Sequence, residues 1–209
     1  MINCCVVLAL IPIFVPVISS QPVREAYLQM VNRQIAKIAP PEFVFIGDSL
    51  TANGNWRWLL SRNPFSAVNL AEPGATINEV SVQLVKARAY HAEFLVVLVG
   101  SNDLLILHRN FHQIVCNYAS LLDNIPMGQK TLITLIPYTS FPNDSDLISE
   151  LNTEIVKLSN RLDWIVVDLN PYISKDAILL PSFTTDGVHF NERTYQIWRD
   201  EILKRTKLQ

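Results

Sequence analysis

The chain has 209 residues, 17 Lys plus Arg against 19 Asp plus Glu, a formal net charge of −2 and 49% hydrophobic residues. Such a chain buries a full core and has the length of one domain, which excludes a disordered tail; without a basic excess, nucleic acid is not the expected partner. Three cysteines cannot form a dense disulfide framework, so the fold rests on its core.

Residues 1–20 carry no charged side chain, and the apolar run Cys4–Ile18, broken by Pro12 and Pro16, meets Ser19, Ser20 and Gln21. An apolar stretch of about 7–15 residues followed by small ones has the form of a secretory signal. It is shorter than the roughly 20 residues of a spanning helix, and its prolines disfavour one. No Lys or Arg precedes the run, so an uncleaved anchor stays open beside a cleaved signal. The expected organisation is a signal or anchor over 1–20 and one globular domain over 21–209. The expected location is secreted or periplasmic, or membrane-anchored, with membrane contact confined to 1–20. Loss of that segment leaves Cys116 as the one cysteine, expected to be a buried apolar residue on a helix.

Phe43–Ile46 predicts a buried strand ending at Gly47, and Ala67–Leu70 a shorter one. Phe94–Val99, Thr131–Ile136 and Trp164–Leu169 predict three more, followed by Gly100, Pro137 and Pro171. Continuous rather than alternating apolar runs predict a sheet covered on both faces, hence parallel. Helices fit between the strands. Thr76 and Glu79 have capping-box spacing ahead of Val80, Leu84 and Ala87. Ile114, Val115, Tyr118, Leu121 and Leu122 recur at helical spacing, as do Leu147, Ile148, Leu151, Ile155 and Leu158 behind a cap at Asp144 or Ser145. Residues 171–185 read as a polar, proline-containing loop, and a last helix carries Thr194, Trp198 and Ile202 in one stripe. This alternation predicts a layered α/β sandwich, whose ligands bind beyond the carboxyl ends of the strands.

The polar residues at those ends form one set. Gly47-Asp48-Ser49-Leu50 places a serine where a strand turns into a helix, beside backbone N–H groups open to an anion; a plain helix cap is the alternative. Pro73-Gly74 follows the second strand as an ordinary turn or a close backbone approach. In Gly100-Ser101-Asn102-Asp103, Asn102 either donates to an oxyanion or closes a turn. In Asp186-Gly187-Val188-His189, the three-residue spacing lets a carboxylate hold one imidazole nitrogen while the other faces the cleft. His91, His108 and His112 lack such a partner nearby in the sequence. The run Leu104–Leu107 either lines an acyl pocket or packs as the core side of a short helix.

In this order, Gly47-Asp48-Ser49-Leu50, Asn69–Gly74, Gly100-Ser101-Asn102-Asp103 and Asp186-Gly187-Val188-His189 resemble the four blocks of the SGNH hydrolases, also called GDSL esterases and lipases, over about residues 43–205. The resemblance implies a flavodoxin-like three-layer α/β/α sandwich with a central five-stranded parallel sheet of order 2-1-3-4-5. It implies Ser49 as nucleophile, Asp186 and His189 as its partners, and an oxyanion hole of the Ser49 N–H, the Gly74 N–H and the Asn102 side chain. Glu72-Pro73 before Gly74 is a departure within the second block. The implied activity is ester hydrolysis through an acyl-enzyme, as a lysophospholipase or short-chain acyl esterase. A carbohydrate O-acetylesterase with the same site is the alternative, and a catalytically inactive binding module is a third reading. The expected partner is a small ester, lipid or acetylated glycan. No cofactor or metal is expected: neither a paired-cysteine zinc spacing nor a Gly-x-Gly-x-x-Gly after the first strand occurs.

Overall fold

The computed structural model describes residues 40–60, 66–160 and 164–207, with positions 26, 27, 30, 31 and 34 helical. The signal-or-anchor segment 1–20, with Cys4 and Cys5, lies outside the described residues. Among the described residues no helix is long and apolar enough to cross a membrane.

Five parallel strands form the central sheet: β1 (Phe43–Gly47), β2 (Ala67–Asn69), β3 (Phe94–Leu98), β4 (Lys130–Thr134) and β5 (Ile165–Val167). Their order is β2-β1-β3-β4-β5, as the family resemblance implies. The register pairs Phe43 with Phe94 and Gly47 with Leu98, so β1 and β3 end level with each other. Every residue of β1 and β3 is buried. Helices cover both faces, which is why these strands read as unbroken apolar runs.

Alternate side chains divide the core. Val44, Ile46, Leu95, Val97 and Ile133 belong to one face of the sheet, against which pack α3 (Ile77–Ala87), α4 (Phe111–Asp123) and α5 (Ser145–Asn160). Phe43, Phe45, Val96, Leu98 and Leu132 point the other way, towards α1 (Ser49–Ala52), α2 (Trp56–Leu59) and α7 (Glu192–Thr206). On that second face lies an aromatic cluster. Trp56 stacks on Phe45 at 4.1 Å and meets Trp198 edge-on at 4.8 Å; Phe190 and Tyr195 also meet Trp198. Both indoles are buried with their N–H satisfied, Trp56 Nε1 by the Thr51 carbonyl (2.9 Å) and Trp198 Nε1 by Thr134 Oγ1 (3.1 Å). The cluster therefore joins β1, the chain after Ser49 and the helix that follows His189.

Three sequence expectations need correction. Cys116 is exposed, with its sulfur 3.6 Å from His112 Nε2. The buried stripe of α4 is Ile114, Tyr118, Leu121 and Leu122, and position 116 falls on the far side of the helix from Ile114. Leu147 is exposed at the start of α5, where Ile148, Leu151 and Ile155 carry the buried stripe. The stretch 171–185 is not only loop. After α6 (Asn170–Ile173), β6 (Ser174–Lys175) and β7 (Ile178–Leu179) make a small antiparallel hairpin around Asp176 and Ala177, both at positive φ. Two positive φ values suit a tight hairpin turn, but Asp-Ala lacks the glycine that marks such turns in a sequence.

Trp56→Ala removes the ring at the centre of the aromatic cluster. It should lower unfolding free energy by about 3–5 kcal/mol, seen as a lower urea midpoint with unchanged slope. An unchanged midpoint would show that the cluster does not carry this part of the fold.

Candidate active site

The site forms where β1, β2 and β3 release their chains at one edge of the sheet. Beyond β1, Asp48 caps α1: its Oδ1 accepts from the Leu50 N–H at 3.0 Å, and Ser49 becomes the first residue of that helix. The turn requires glycine at position 47. Its φ is +155°, and a Cβ there would be driven into the Leu98 carbonyl and Thr51 Oγ1. Gln83 from α3 clamps the same residue from below, accepting the Gly47 N–H (2.8 Å) and donating to the Gly47 carbonyl (3.1 Å).

His189 arrives from the other end of the chain. Asp186 Oδ1 accepts the N–H groups of Val188 (3.0 Å) and His189 (2.7 Å), so the aspartate folds its own loop. Thr184 Oγ1 closes it by donating to the His189 carbonyl (2.7 Å) and accepting the Gly187 N–H (2.9 Å). Asp186 Oδ2 then stands 2.7 Å from His189 Nδ1, and His189 Nε2 stands 3.1 Å from Ser49 Oγ. An ionised carboxylate only accepts, so Nδ1 carries the hydrogen and the lone pair of Nε2 faces the serine hydroxyl. The hydrogen bond from the imidazole, then those from the His189 and Val188 amides, pull the Asp186 carboxyl down to about 2. Its side chain is 53% exposed, so the pair lies in an open site.

The donor side is organised from β3. Asn102 Nδ2 donates to the Ala75 carbonyl at 2.9 Å, which leaves its second amide hydrogen and ties it to the residue after Gly74. Asp103 Oδ2 accepts the Ile77 N–H at 2.9 Å, while Oδ1 pairs with Arg109 at 2.6 Å. Asn102 and Asp103 thus hold both ends of the Ala75–Ile77 segment. Gly74 has φ +79° with open space at its Cβ position. Among the described residues the N–H groups of Ser49 and Gly74 have no intramolecular acceptor. Glu72, the departure in the second block, points outward to Lys86, and its carbonyl accepts the Ala75 N–H.

Of the expected site residues, Ser49, His189 and Asp186 stand in a hydrogen-bonded line, while Gly74 and Asn102 lie in the segments that follow β2 and β3 and are tied together through the Ala75 carbonyl. The other histidines stand apart from this line. His91 caps a 3₁₀ turn before β3; His108, at φ +45°, precedes the helix that carries His112, so their four-residue spacing does not put them on one helical face. Among the described residues no group of three or more His, Cys, Asp or Glu is placed to hold a metal ion. Leu104 is buried in the π-helical turn Asn102–Ile106, whereas Ile106 (69%) and Leu107 (48%) are exposed, so the run divides between core and surface. Sequence reasoning missed Gln83 and Thr184. A glutamine in the apolar stripe Val80, Leu84, Ala87 is a legible sign of a buried polar clamp; the threonine carried no such sign.

Asp48 is the unusual charge. It is buried, and its Oδ2 has no partner among the described residues. Burial, opposed by the Leu50 N–H and by His189 and reinforced by Asp103, pushes its carboxyl up to about 7.

Residues 45–197 match the GDSL-like lipase/acylhydrolase family. An N-acylneuraminate cytidylyltransferase of Streptococcus agalactiae is 26% identical over 190 residues, covering 86% of this chain and 42% of the relative. The chain thus spans less than half the length of that curated relative. Among solved structures, a GDSL-like lipase of Bacteroides thetaiotaomicron superposes with a TM-score of 0.71 at 18% identity, covering 86% of this chain and 97% of the other. An acetylxylan esterase of Geobacillus stearothermophilus gives 0.67 at 14% identity, covering 82% and 95%.

The burial of Asp48 predicts a pH dependence of stability. The unfolded chain releases this proton near pH 3.9 and the native state near 7, so the native state binds more protons between those values. Stability from this group is full at acidic pH and falls as pH rises from about 4 to about 7. Asp48→Asn keeps an acceptor for Leu50 and cannot ionise. Its stability relative to the parent should rise across that interval in urea titrations at pH 5 and 7.5; a constant difference would contradict the assignment.

Proposed function

As the chain belongs to the GDSL-like lipase/acylhydrolase family, we propose that it hydrolyses carboxylic esters through an acyl-enzyme on Ser49. The observation that carries this reading is the continuous line Asp186 Oδ2–His189 Nδ1, His189 Nε2–Ser49 Oγ, at 2.7 and 3.1 Å. His189 Nε2 takes the hydroxyl proton as Oγ bonds to the ester carbonyl carbon. The carbonyl electron pair moves onto its oxygen, received by the N–H groups of Ser49 and Gly74 and the free amide hydrogen of Asn102. The bond to the alkoxy oxygen then breaks, and His189 returns the proton to the leaving alcohol. A water, deprotonated by His189, attacks the acyl carbon; the C–Oγ bond breaks and Ser49 recovers its proton. Asp186 keeps the imidazole in the productive tautomer and stabilises the imidazolium. Lysophospholipid and acetylated glycan substrates would use the same steps and differ in what holds the alcohol.

Ser49→Ala and His189→Ala should reduce hydrolysis of a 4-nitrophenyl ester to near background in folded protein. Asp186→Asn should lower turnover by up to about 10⁴. His91→Ala, His108→Ala and His112→Ala should each retain most activity. Near-parental turnover in His189→Ala, with loss in one of the other three, would refute the site.

On the strength of the uncharged apolar segment 1–20, we propose separately that the protein is secreted or periplasmic, or anchored at a membrane through that segment. Mass spectrometry of native protein should find a mature N-terminus near Ser20 or Gln21. An intact Met1–Ile18 segment in the membrane fraction would favour the anchor.

A further inference from the structure

A cleft of about 450 Å³ is lined by Asn53, Asn55, Trp58, Leu59, Glu192 and Tyr195, with Asn53 four residues after Ser49 and Glu192 three after His189. That volume is within the roughly 300–1,000 Å³ of small-ligand sites. Two of its lining residues are bonded to the backbone of the turn that carries Ser49. The Asn53 N–H donates to the Ser49 carbonyl at 3.0 Å, and the Tyr195 hydroxyl donates to the Leu50 carbonyl at 2.8 Å. Glu192 opens α7 three residues after His189.

The lining is chemically specific. α2 carries two tryptophans: Trp56 is the centre of the buried cluster, and Trp58, two positions on, is turned out of the core and 58% exposed. A single exposed apolar side chain is ordinary on a protein surface. This one shares a cleft with two amides and a carboxylate. Among the described residues the side chains of Asn53 and Glu192 make no hydrogen bond or ion pair, and Asn55 uses only its carbonyl oxygen, to cap Trp58 at 3.4 Å. The cleft therefore offers amide donors, an amide acceptor, a carboxylate acceptor and one indole face. Hydroxyl groups, which both donate and accept, match that polar set. The weakly positive C–H face of a sugar ring matches the negative face of the indole.

The reaction separates the acyl side of the substrate from its alcohol side. The oxyanion forms on the Gly74–Asn102 side of Ser49, whereas the leaving oxygen must meet His189 Nε2 to receive its proton. Glu192, which lines the cleft, follows His189 by three residues at the start of α7. Resting on the esterase reading, we propose that this cleft is the alcohol subsite and that its occupant is a pyranoside bearing the scissile O-acyl group, with Trp58 as stacking platform and Asn53, Asn55 and Glu192 as hydroxyl partners. A quaternary ammonium headgroup would also use an indole and a carboxylate, but it leaves both amides without a partner. It would also find one open ring, because Tyr195 is packed in the core and its hydroxyl is held by Leu50.

The test compares kcat/KM for an O-acetylated methyl pyranoside, for 4-nitrophenyl acetate and for lysophosphatidylcholine. In the full chain, Trp58→Ala should lower the ratio of sugar acetate to aryl acetate by about tenfold, chiefly through KM, with Trp58→Phe restoring much of it. Glu192→Gln should lower the ratio in the same direction. Met127→Ala, a fully exposed position outside the site, should not move it. An unchanged ratio in Trp58→Ala, or hydrolysis of aryl acetate with no turnover of any acetylated pyranoside, would overturn the subsite. Selective loss on lysophosphatidylcholine would overturn it in favour of a cationic headgroup. Failure of the parent on all three esters would instead overturn the esterase reading.

Discussion

The arrangement depends on holding two residues 140 positions apart in sequence within a hydrogen bond of each other. Closing so long a loop has a substantial entropic cost, and one contact between half-buried side chains cannot maintain it. The aromatic cluster beneath the site does. Phe45 belongs to the strand that delivers Ser49, Trp56 to the chain just after it, and Phe190, Tyr195 and Trp198 to the segment after His189. The Tyr195 hydroxyl on the Leu50 carbonyl adds direction to that apolar contact, because it fixes α7 against α1 in depth as well as in distance. Ser49 and His189 are thus mounted on one rigid body, although they come from opposite ends of the domain.

Two aspartates near the serine have opposite surroundings and correspondingly opposite behaviour. Asp186 is half-exposed and receives three hydrogen bonds from its own loop, so it remains ionised throughout the neutral range. Asp48 is buried beside the nucleophile with one oxygen capping α1, and it holds its proton to about pH 7. Environments that drive carboxyl groups apart in this way divide their roles. In the proposed mechanism the open one supports the imidazolium, whereas the buried one shapes the turn. Amide clamps do comparable work deeper in the sheet. Gln83 grips Gly47 and Asn152 grips Ile136, each through both backbone groups, at the points where the chain leaves β1 and passes beyond β4.

Much of this was legible in the residues. The five strands were readable because a parallel sheet buried on both faces leaves continuous apolar runs, and α3 because Thr76 and Glu79 form the capping box their spacing announces. The hydrogen-bonded line was readable because Ser49 directly follows β1 and because Asp186 reaches His189 within one local turn. What escaped had no local signature. The β6–β7 hairpin turns on Asp176 and Ala177 without glycine, and Cys116 looked apolar until the helical stripe placed it outside. The cleft at Trp58 draws on two segments more than 130 positions apart, so no spacing in the sequence could have joined them.

The central claim is that Ser49, activated by His189, is the nucleophile of an ester hydrolase. Peptide mass spectrometry after treatment with a fluorophosphonate at neutral pH tests it most directly. The account predicts one covalent adduct, on Ser49, that is abolished in Ser49→Ala and strongly slowed in His189→Ala. An adduct on another serine such as Ser101, or labelling of Ser49 at the same rate without His189, would contradict it.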